Sequence, residues 1–235
     1  MDIVYPGRCP VCDNVLNFGC RDYICHECAD KIKFVEEPYC KKCGKPIMDE
    51  NAEYCVDCQK KTFTYIYGRA LFVYDRHMRR SIARFKYSGR REYARFYAKK
   101  LYERYNDWIQ LIRPDAYIPI PVHRKRYNKR GYNQAEEIGD CLSELTDIPC
   151  MKNIVMRTKN TLPQKELSQI ERKSNIEGAF FINQASEELC QKLECVIIID
   201  DIYTTGSTIE ECAKVLKNCG VNKIYFLCIC IGSVI

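Results

Sequence analysis

Residues 196–208 read VIIIDDIYTTGST, and the prediction of the fold rests on them. Its four apolar β-formers predict a buried strand that ends in two carboxylates. A short loop of hydroxyl side chains with one glycine follows and opens a helix. A buried strand followed by an amphipathic helix is the repeating unit of a parallel α/β sheet. The apolar residues on one face of that helix are Ile209, Cys212, Ala213 and Leu216.

The loop between this strand and this helix has the groups that bind a phosphosugar. The helix N-terminus and the loop amides present N–H donors to a phosphate, and Gly206 lets the backbone approach closely. Asp200 and Asp201 can accept hydrogen bonds from a sugar diol and help to hold a hydrated Mg²⁺. A helix cap with solvated acids is the simpler interpretation, but capping does not require two adjacent acids. The hydroxyl donors are Thr204, Thr205, Ser207 and Thr208.

Strands and helices alternate on both sides of this stretch. Helical patterns occupy 76–112, with a break at Ser88-Gly89, and the segment from Ala135 to Leu145. The alternation predicts one α/β domain over residues 61–235, a parallel sheet with helices on both faces. The further predicted strands are 69–74, 117–122, 153–156, 179–182 and 223–231.

Residues 1–60 are predicted to form a separate cysteine-rich module. Apolar residues are sparse there, so the segment needs a metal to fold. Two C-x-x-C turns that face each other supply four thiolates for tetrahedral Zn²⁺, which predicts two closed structural sites in a double zinc ribbon. Sequential and interleaved pairing of the turns both stay open, because the gaps between the pairs are similar. The ligands are Cys9, Cys12, Cys25, Cys28, Cys40, Cys43, Cys55 and Cys58.

Composition narrows the class of protein. The chain has 235 residues, 37 Lys+Arg, 31 Asp+Glu and a formal net charge of +6. Charged residues are 29% and hydrophobic residues 46%, which excludes a disordered or low-complexity chain. The N-terminus lacks the pattern of a signal peptide, and the apolar run at 224–235 is too short to span a bilayer. Cysteines paired as metal ligands indicate a reducing compartment, so we expect a cytoplasmic protein without membrane insertion.

Two segments carry many cations and no acid. Residues 76–91 contain seven Arg or Lys, and residues 124–130 contain five. Tyr87, Tyr127 and Tyr132 lie among or beside them, and such mixtures bind single-stranded nucleic acid through phosphates and stacked bases. The alternatives are a solvated helix face for the first segment and a pyrophosphate pocket for the second. The candidate DNA contacts are Arg79, Arg80, Arg84, Lys86, Arg126 and Lys129.

Residues 200–208 resemble the 5-phosphoribosyl-1-pyrophosphate (PRPP) loop of type I phosphoribosyltransferases. Further blocks resemble one branch of that superfamily, the ComF/GntX-like competence family, and the double zinc ribbon completes the likeness. Tyr203 departs from the pattern, because the superfamily usually has an aliphatic residue there. The blocks are RFKYSG at 84–89, PIPVH at 119–123, RGYNQA at 130–135, RTKNT at 157–161 with Gln164 and Leu167, and Arg172, Asn175 and GAF at 178–180.

The resemblance implies a type I phosphoribosyltransferase-like fold with a site for PRPP and Mg²⁺. Asp200 and Asp201 would hold the ribose hydroxyls, and residues 204–208 would bind the 5′-phosphate. The turn at 121–124 would lie near the pyrophosphate, and residues 157–172 would occupy the place of a flexible hood. No catalytic acid or base can be named from these motifs. The candidates for the pyrophosphate side are His123, Arg124 and Arg130.

The resemblance leaves two functions open. The first is a PRPP- and Mg²⁺-binding protein that handles single-stranded DNA in competence-linked uptake, with a competence helicase or other uptake proteins as candidate partners. The second is a working phosphoribosyltransferase that releases pyrophosphate and transfers the sugar to a small nitrogenous acceptor. An acceptor pocket would distinguish them, and none can be identified from the sequence.

Overall fold

The computed structural model describes residues 7–158 and 176–232, and a four-stranded parallel sheet lies at its centre. The strands are β1 (Gly68–Val73), β2 (Ala116–Pro119), β3 (Val155–Arg157), β4 (Phe180–Ile182), β5 (Cys195–Tyr203) and β6 (Lys223–Ile231). The sheet has the order β1-β6-β5-β2. Every neighbouring pair in it is parallel, as the sequence predicted.

Helices with defined caps connect these strands. The helices are α1 (His26–Ala29), α2 (Val56–Lys60), α3 (Arg76–Tyr87), α4 (Tyr93–Ile112), α5 (Arg124–Arg130), α6 (Gln134–Thr146), α7 (Glu187–Gln191) and α8 (Ser207–Asn218). The Asp75 carboxylate accepts hydrogen bonds from the His77 and Met78 N–H groups and so begins α3. Asn133 caps α6 in the same way, through the Ala135 N–H.

The sheet separates two hydrophobic cores. Ile197 and Ile199 of β5 pack in the core that contains α3, α4 and α6. Val196 and Ile198 pack in the opposite core, which contains α8. Successive side chains of a strand point to opposite faces, so β5 is buried on both sides. Helices therefore cover both faces of the sheet, as expected.

The cysteine-rich segment packs against both cores and covers one edge of the sheet. Val35 N–H donates to Leu71 O (3.0 Å), and Val73 N–H donates to Lys33 O (2.9 Å), so this segment pairs with the edge strand β1. The pairing satisfies backbone groups that an open edge would expose. The predicted domain boundary between residues 60 and 61 stays a prediction. The first core includes Cys9, Val11, Leu16 and Ile24, and the second includes Val35, Cys40, Cys43 and Cys55.

Three strands differ from the sequence prediction. Strand β5 continues to Tyr203, so Asp200 and Asp201 lie within the strand rather than after it. Strands β3 and β4 pair with each other, antiparallel and outside the parallel sheet. A short apolar run predicts a strand but does not specify its neighbour, because partner and direction depend on distant residues.

The sequence predicts a protein that does not insert into a membrane, and the lengths of its helices can be compared with the thickness of a bilayer. Across residues 7–158 and 176–232, no helix is both long and apolar enough to cross a bilayer.

Candidate functional site

The eight paired cysteines form two clusters. Within each cluster the four Sγ atoms lie within 4.8 Å of one another. The Sγ atoms of Cys12 and Cys25 are 3.7 Å apart, and those of Cys43 and Cys55 are also 3.7 Å apart. A Zn–S bond of about 2.3 Å gives a tetrahedron with an edge of about 3.8 Å, so both clusters fit Zn²⁺. Pairing is sequential: Cys9, Cys12, Cys25 and Cys28 form one cluster, and Cys40, Cys43, Cys55 and Cys58 form the other.

Local turns position these thiols. In the first ribbon (residues 9–28) and the second ribbon (residues 40–58), the helices α1 and α2 begin directly after Cys25 and Cys55. Gly44 ends the Cys40 turn with a φ of +75°, a conformation that glycine adopts without steric cost. Each site has four protein ligands and no open position, which makes it structural rather than catalytic.

A cavity of about 450 Å³ opens at the carboxyl ends of β2 and β5. Open α/β sheets bind their ligands at this edge. Four residues predicted to bind the phosphosugar lie on its wall, namely Asp200, Asp201, Thr204 and Thr208. The other walls come from the ends of α3 and β3, from α5 and from the beginning of α6.

The two carboxylates differ in their surroundings. Burial and the neighbouring charge of Asp201 raise the pKa of Asp200 to about 7. The Asp200 carboxylate accepts a hydrogen bond from the Asp201 N–H at 2.8 Å. Asp201 forms an ion pair with Lys86, with 2.6 Å between Oδ2 and Nζ. A cation that contacts both acids would favour their ionised forms, so the pair suits Mg²⁺ bound with an anionic ligand.

Cations outnumber acids on the cavity wall. Among the described residues, five cationic side chains and two carboxylates line it. Burial, followed by the charge of Arg126, lowers the pKa of Arg157 to about 10. Burial and the charge of Arg130 also lower the pKa of Arg126. Cations crowded in this way favour a ligand with several negative charges. The five are Lys86, Arg126, Lys129, Arg130 and Arg157.

The loop at 204–208 turns from β5 into α8 at Gly206, whose φ is +79°. A Cβ atom at this position would lie 2.4 Å from the Tyr203 hydroxyl oxygen, so only glycine fits. The hydroxyls of Thr205 and Ser207 hydrogen-bond to each other at 3.0 Å. Thr204 and Thr208 line the cavity where α8 begins, and a helix N-terminus is a common binding site for phosphate.

The three residues predicted to lie near the pyrophosphate do not share one position in the structure. Arg130 lines the cavity, and its guanidinium lies 5.0 Å from the centre of the Tyr87 ring. His123 instead caps α5, where its Nδ1 accepts a hydrogen bond from the Lys125 N–H at 3.2 Å. Arg124 is exposed, and neither it nor His123 is among the residues that line the cavity.

The six residues predicted to contact DNA also lie in different places. Lys86, Arg126 and Lys129 lie on the cavity wall beside the acid pair. Arg84 donates from Nη1 to the Val11 carbonyl oxygen at 2.9 Å and so holds the first ribbon against α3. Only Arg79 and Arg80 of this set are exposed on α3. Contact with DNA stays a prediction for all six residues.

Sequence reasoning did not assign Arg157 and Tyr74 to the cavity that they line. Arg157 ends the short strand β3, and it was grouped with the segment expected to form a hood. The ring of Phe180, on β4, lies 5.3 Å from its guanidinium. That strand partner was not predicted. The rest of the expected hood, residues 159–175, lies outside the described residues.

Known proteins match the cysteine-rich segment and nearly the whole length of the chain. The model of the double zinc ribbon domain matches residues 1–59. Competence protein F of Haemophilus influenzae is 34% identical, with 92% of this chain and 93% of that protein covered. DNA utilization protein YhgH of Escherichia coli K12 is 28% identical, with 97% and 98% covered.

Two further proteins match with lower sequence identity. Competence protein ComFC of Bacillus subtilis is 25% identical, with 84% of this chain and 79% of that protein covered. Among solved structures, a glutamine PRPP amidotransferase from B. subtilis complexed with ADP and GMP matches with a TM-score of 0.36 and 13% identity. That match covers 60% of this chain and 26% of the other.

Proposed function

The chain belongs to the ComF-like competence family, and on this premise we propose that it binds PRPP with Mg²⁺ and handles single-stranded DNA in competence-linked DNA uptake. Two relatives are named as competence proteins and a third as a DNA utilization protein. A role in uptake would place the protein in the cytoplasm, with a competence helicase or other uptake proteins as partners.

The charge pattern of the cavity carries the proposal for PRPP. Two adjacent carboxylates and five cations line one cavity at the edge of the sheet. PRPP combines a ribose diol with a 5′-phosphate and a pyrophosphate, so its groups match those of the wall. Phosphates gain most from donors held in place before binding, which the loop amides and α8 provide.

The position of Tyr87 supports the proposal for DNA. This tyrosine ends α3 and is 58% exposed, and Arg130 of α5 lies over its ring. The two basic segments therefore meet at an exposed aromatic side chain next to the cavity. Exposed cations continue along α3 through Arg79 and Arg80. Cations with an exposed ring are typical of surfaces that bind single strands.

Titration calorimetry with PRPP and Mg²⁺ tests the ligand site. In Asp200→Ala/Asp201→Ala, each lost charge-assisted hydrogen bond costs about 1.5–3 kcal/mol, so we expect affinity to fall at least ~100-fold. The control is Glu187→Ala/Glu188→Ala, an adjacent pair of exposed acids on α7, which should bind like the parent. Unchanged PRPP affinity in the first variant would contradict the site.

Turnover of PRPP is the second candidate function. The observation in its favour is the group of cations on the cavity wall, because positive side chains such as Arg130 can stabilise the charge of a departing pyrophosphate. Pyrophosphate release should be measured with nucleobases, ammonia and single-stranded DNA as acceptors. Release that depends on one of the small acceptors would favour a phosphoribosyltransferase. Binding of PRPP without release, under the same conditions, would favour the DNA-handling protein.

A further inference from the structure

Tyr203 supports the loop that begins α8. It is the last residue of β5 and only 3% exposed. Its ring lies against the backbone of Gly206, where a Cβ atom would come within 2.4 Å of the tyrosine hydroxyl oxygen. Because the contact is with the loop backbone itself, the position of this ring limits where residues 204–208 can lie.

A second buried tyrosine holds Tyr203 in place. The hydroxyls of Tyr203 and Tyr65 hydrogen-bond at 2.8 Å, and Tyr65 is completely buried. The Phe226 ring stacks on Tyr203 and meets Tyr65 edge-on, with 5.0 Å between ring centres in each case. Separating the two hydroxyls would leave buried polar groups without this bond, so the two rings should move together.

Tyr65 in turn contacts the second ribbon. Lys42 lies between the ligands Cys40 and Cys43, and its Nζ donates to the Tyr65 carbonyl oxygen at 2.6 Å. The Lys42 carbonyl oxygen accepts a hydrogen bond from the Gly68 N–H at 2.9 Å, which ties the same turn to β1. Tyr65 also shares a hydrophobic core with three ligands of the second cluster.

Thr64 provides a parallel connection to α8. Its N–H and its hydroxyl each donate to the Glu210 carboxylate at 2.8 Å. Glu210 lies in the first turn of α8, and its N–H donates to the Gly206 carbonyl oxygen at 2.8 Å. Neighbouring residues next to the second ribbon therefore reach Gly206 by two routes, one through Tyr203 and one through Glu210.

The first ribbon has different contacts. Asp13 binds the Arg90 guanidinium through both carboxylate oxygens, at 2.8 and 2.9 Å, and accepts a hydrogen bond from the Tyr93 hydroxyl. These partners precede or begin α4, in the core on the opposite face of the sheet from α8. The second ribbon is therefore connected to the loop at 204–208 through these contacts, whereas the contacts of Asp13 in the first ribbon lead to α4.

We infer that Tyr65 and Tyr203 are positioning residues through which the second Cys₄ site sets the geometry of the phosphate-binding loop. Occupation of the loop and retention of zinc in the second site are then coupled, whereas the first site is uncoupled from the loop. The coupling is reciprocal, as linkage requires. Its ligand-dependent part rests on the proposed function, because it takes PRPP as the occupant of the loop.

The test without ligand is amide hydrogen exchange in the zinc-loaded protein. Tyr65→Phe/Tyr203→Phe removes both hydroxyls and keeps both rings, and we expect the peptide that covers 204–210 to exchange ~10-fold faster. Tyr117→Phe is the control, since it removes another buried hydroxyl that bonds Thr146 in the opposite core. If the double variant fails to fold, the single variant Tyr65→Phe, which keeps Tyr203 and its contact with Gly206, takes its place. Unchanged exchange of this peptide in a folded variant would overturn the inference.

The test with ligand measures zinc loss at each site separately. The protein is treated with a chelator, and released cysteines are alkylated and mapped by mass spectrometry. Coupling energies between sites typically change equilibrium affinity ~5- to 150-fold, so we expect PRPP with Mg²⁺ to raise the chelator concentration that empties the second cluster ~10-fold. The concentration that empties the first cluster should change less than ~2-fold, and the double variant should lose the protection. A side chain that merely stabilised the fold would alter both clusters alike.

The outcomes of the two tests separate the inference from the proposed function. If the parent binds no PRPP, the proposed function fails and hydrogen exchange alone decides the role of the tyrosines. If PRPP binds and protects both clusters equally, or neither, the coupling is wrong although the ligand site stands.

Discussion

Lys86 and Asp201 form an ion pair inside the cavity, with 2.6 Å between Nζ and Oδ2 and less than a fifth of either side chain exposed. The sequence pattern grouped Lys86 with DNA contacts, because it lies in a run of cations on α3. Because Lys86 lies beside the acid pair, we propose that it also contacts the ligand of the cavity. If a ligand with phosphates binds together with Mg²⁺, the lysine can pair with a phosphate and the aspartate can contact the Mg²⁺.

Replacement of the lysine tests that position. In Lys86→Gln we expect PRPP affinity to fall ~10-fold or more, because one charge-assisted hydrogen bond to phosphate is lost. Binding of single-stranded DNA should change less than PRPP binding. Calorimetry and a DNA titration check both, with the exposed Lys214→Gln on α8 as the control. A variant that loses DNA affinity and keeps PRPP affinity would return Lys86 to the DNA surface.

The pKa of Asp200 makes stability depend on pH. Burial and the charge of Asp201 raise this pKa from 3.8 to about 7, so between these values the folded protein holds a proton that the unfolded chain releases. Stability contributed by this group is therefore lost as pH rises from about 4 to about 7.

The variant Asp200→Asn has no titrating carboxyl at this position, so the loss of stability between about pH 4 and pH 7 should disappear. Without Mg²⁺, we expect the variant to exceed the parent in unfolding free energy at pH 8 by on the order of 3 kcal/mol, and by much less at pH 4.5. Urea denaturation at several pH values measures the difference. Parallel pH profiles for the two proteins would show that Asp200 ionises normally.

Arg79 and Arg80 test the DNA surface without disturbing the cavity or the ribbons. Each phosphate neutralised contributes about −0.7 to the slope of log K against log salt for a single strand. Arg79→Glu/Arg80→Glu should weaken binding of single-stranded DNA and flatten this slope, with PRPP affinity nearly unchanged. The control is Lys214→Glu/Lys217→Glu, which makes the same charge change on α8. Equal DNA binding and equal slopes in both variants would make 76–91 a solvated helix face.

Zinc removal should affect the whole protein rather than the ribbons alone. The metal-replete protein should hold about two zinc ions per chain, one in each Cys₄ cluster. Because the ribbons contribute to both cores and pair with β1, we expect chelation to lower the temperature of a single unfolding transition. Elemental analysis and calorimetry measure these quantities. A separate early transition of the ribbons, with the main transition unmoved, would show that they are independent.

The zinc ligands and the succession of β5, a loop and α8 were predictable because their geometry is local. A C-x-x-C turn brings two thiols together wherever it lies, and a strand, a loop and a helix in succession place Asp200 near Gly206 through chain connectivity. The sequential pairing of the turns was not predictable. It depends on how the two ribbons fold, and the similar gaps between the pairs left both arrangements open.

The cation cluster of the cavity shows the limit of such reasoning. Lys86, Arg126 and Arg157 come from three separate elements and line the same cavity only when α3, α5 and β3 pack against the sheet. Charge counts along the chain could not distinguish these side chains from the exposed Arg79 and Arg80.

Residue order thus determined the ligands of the tetrahedral metal sites and led to the prediction of a phosphosugar, since the groups concerned are neighbours in the chain. Long-range packing determined which cations serve the cavity, which face of the sheet each ribbon covers, and that Tyr65 meets Tyr203. The physical reason is that packing energy comes from contacts between residues far apart in sequence, and periodicity along the chain contains no record of those partners.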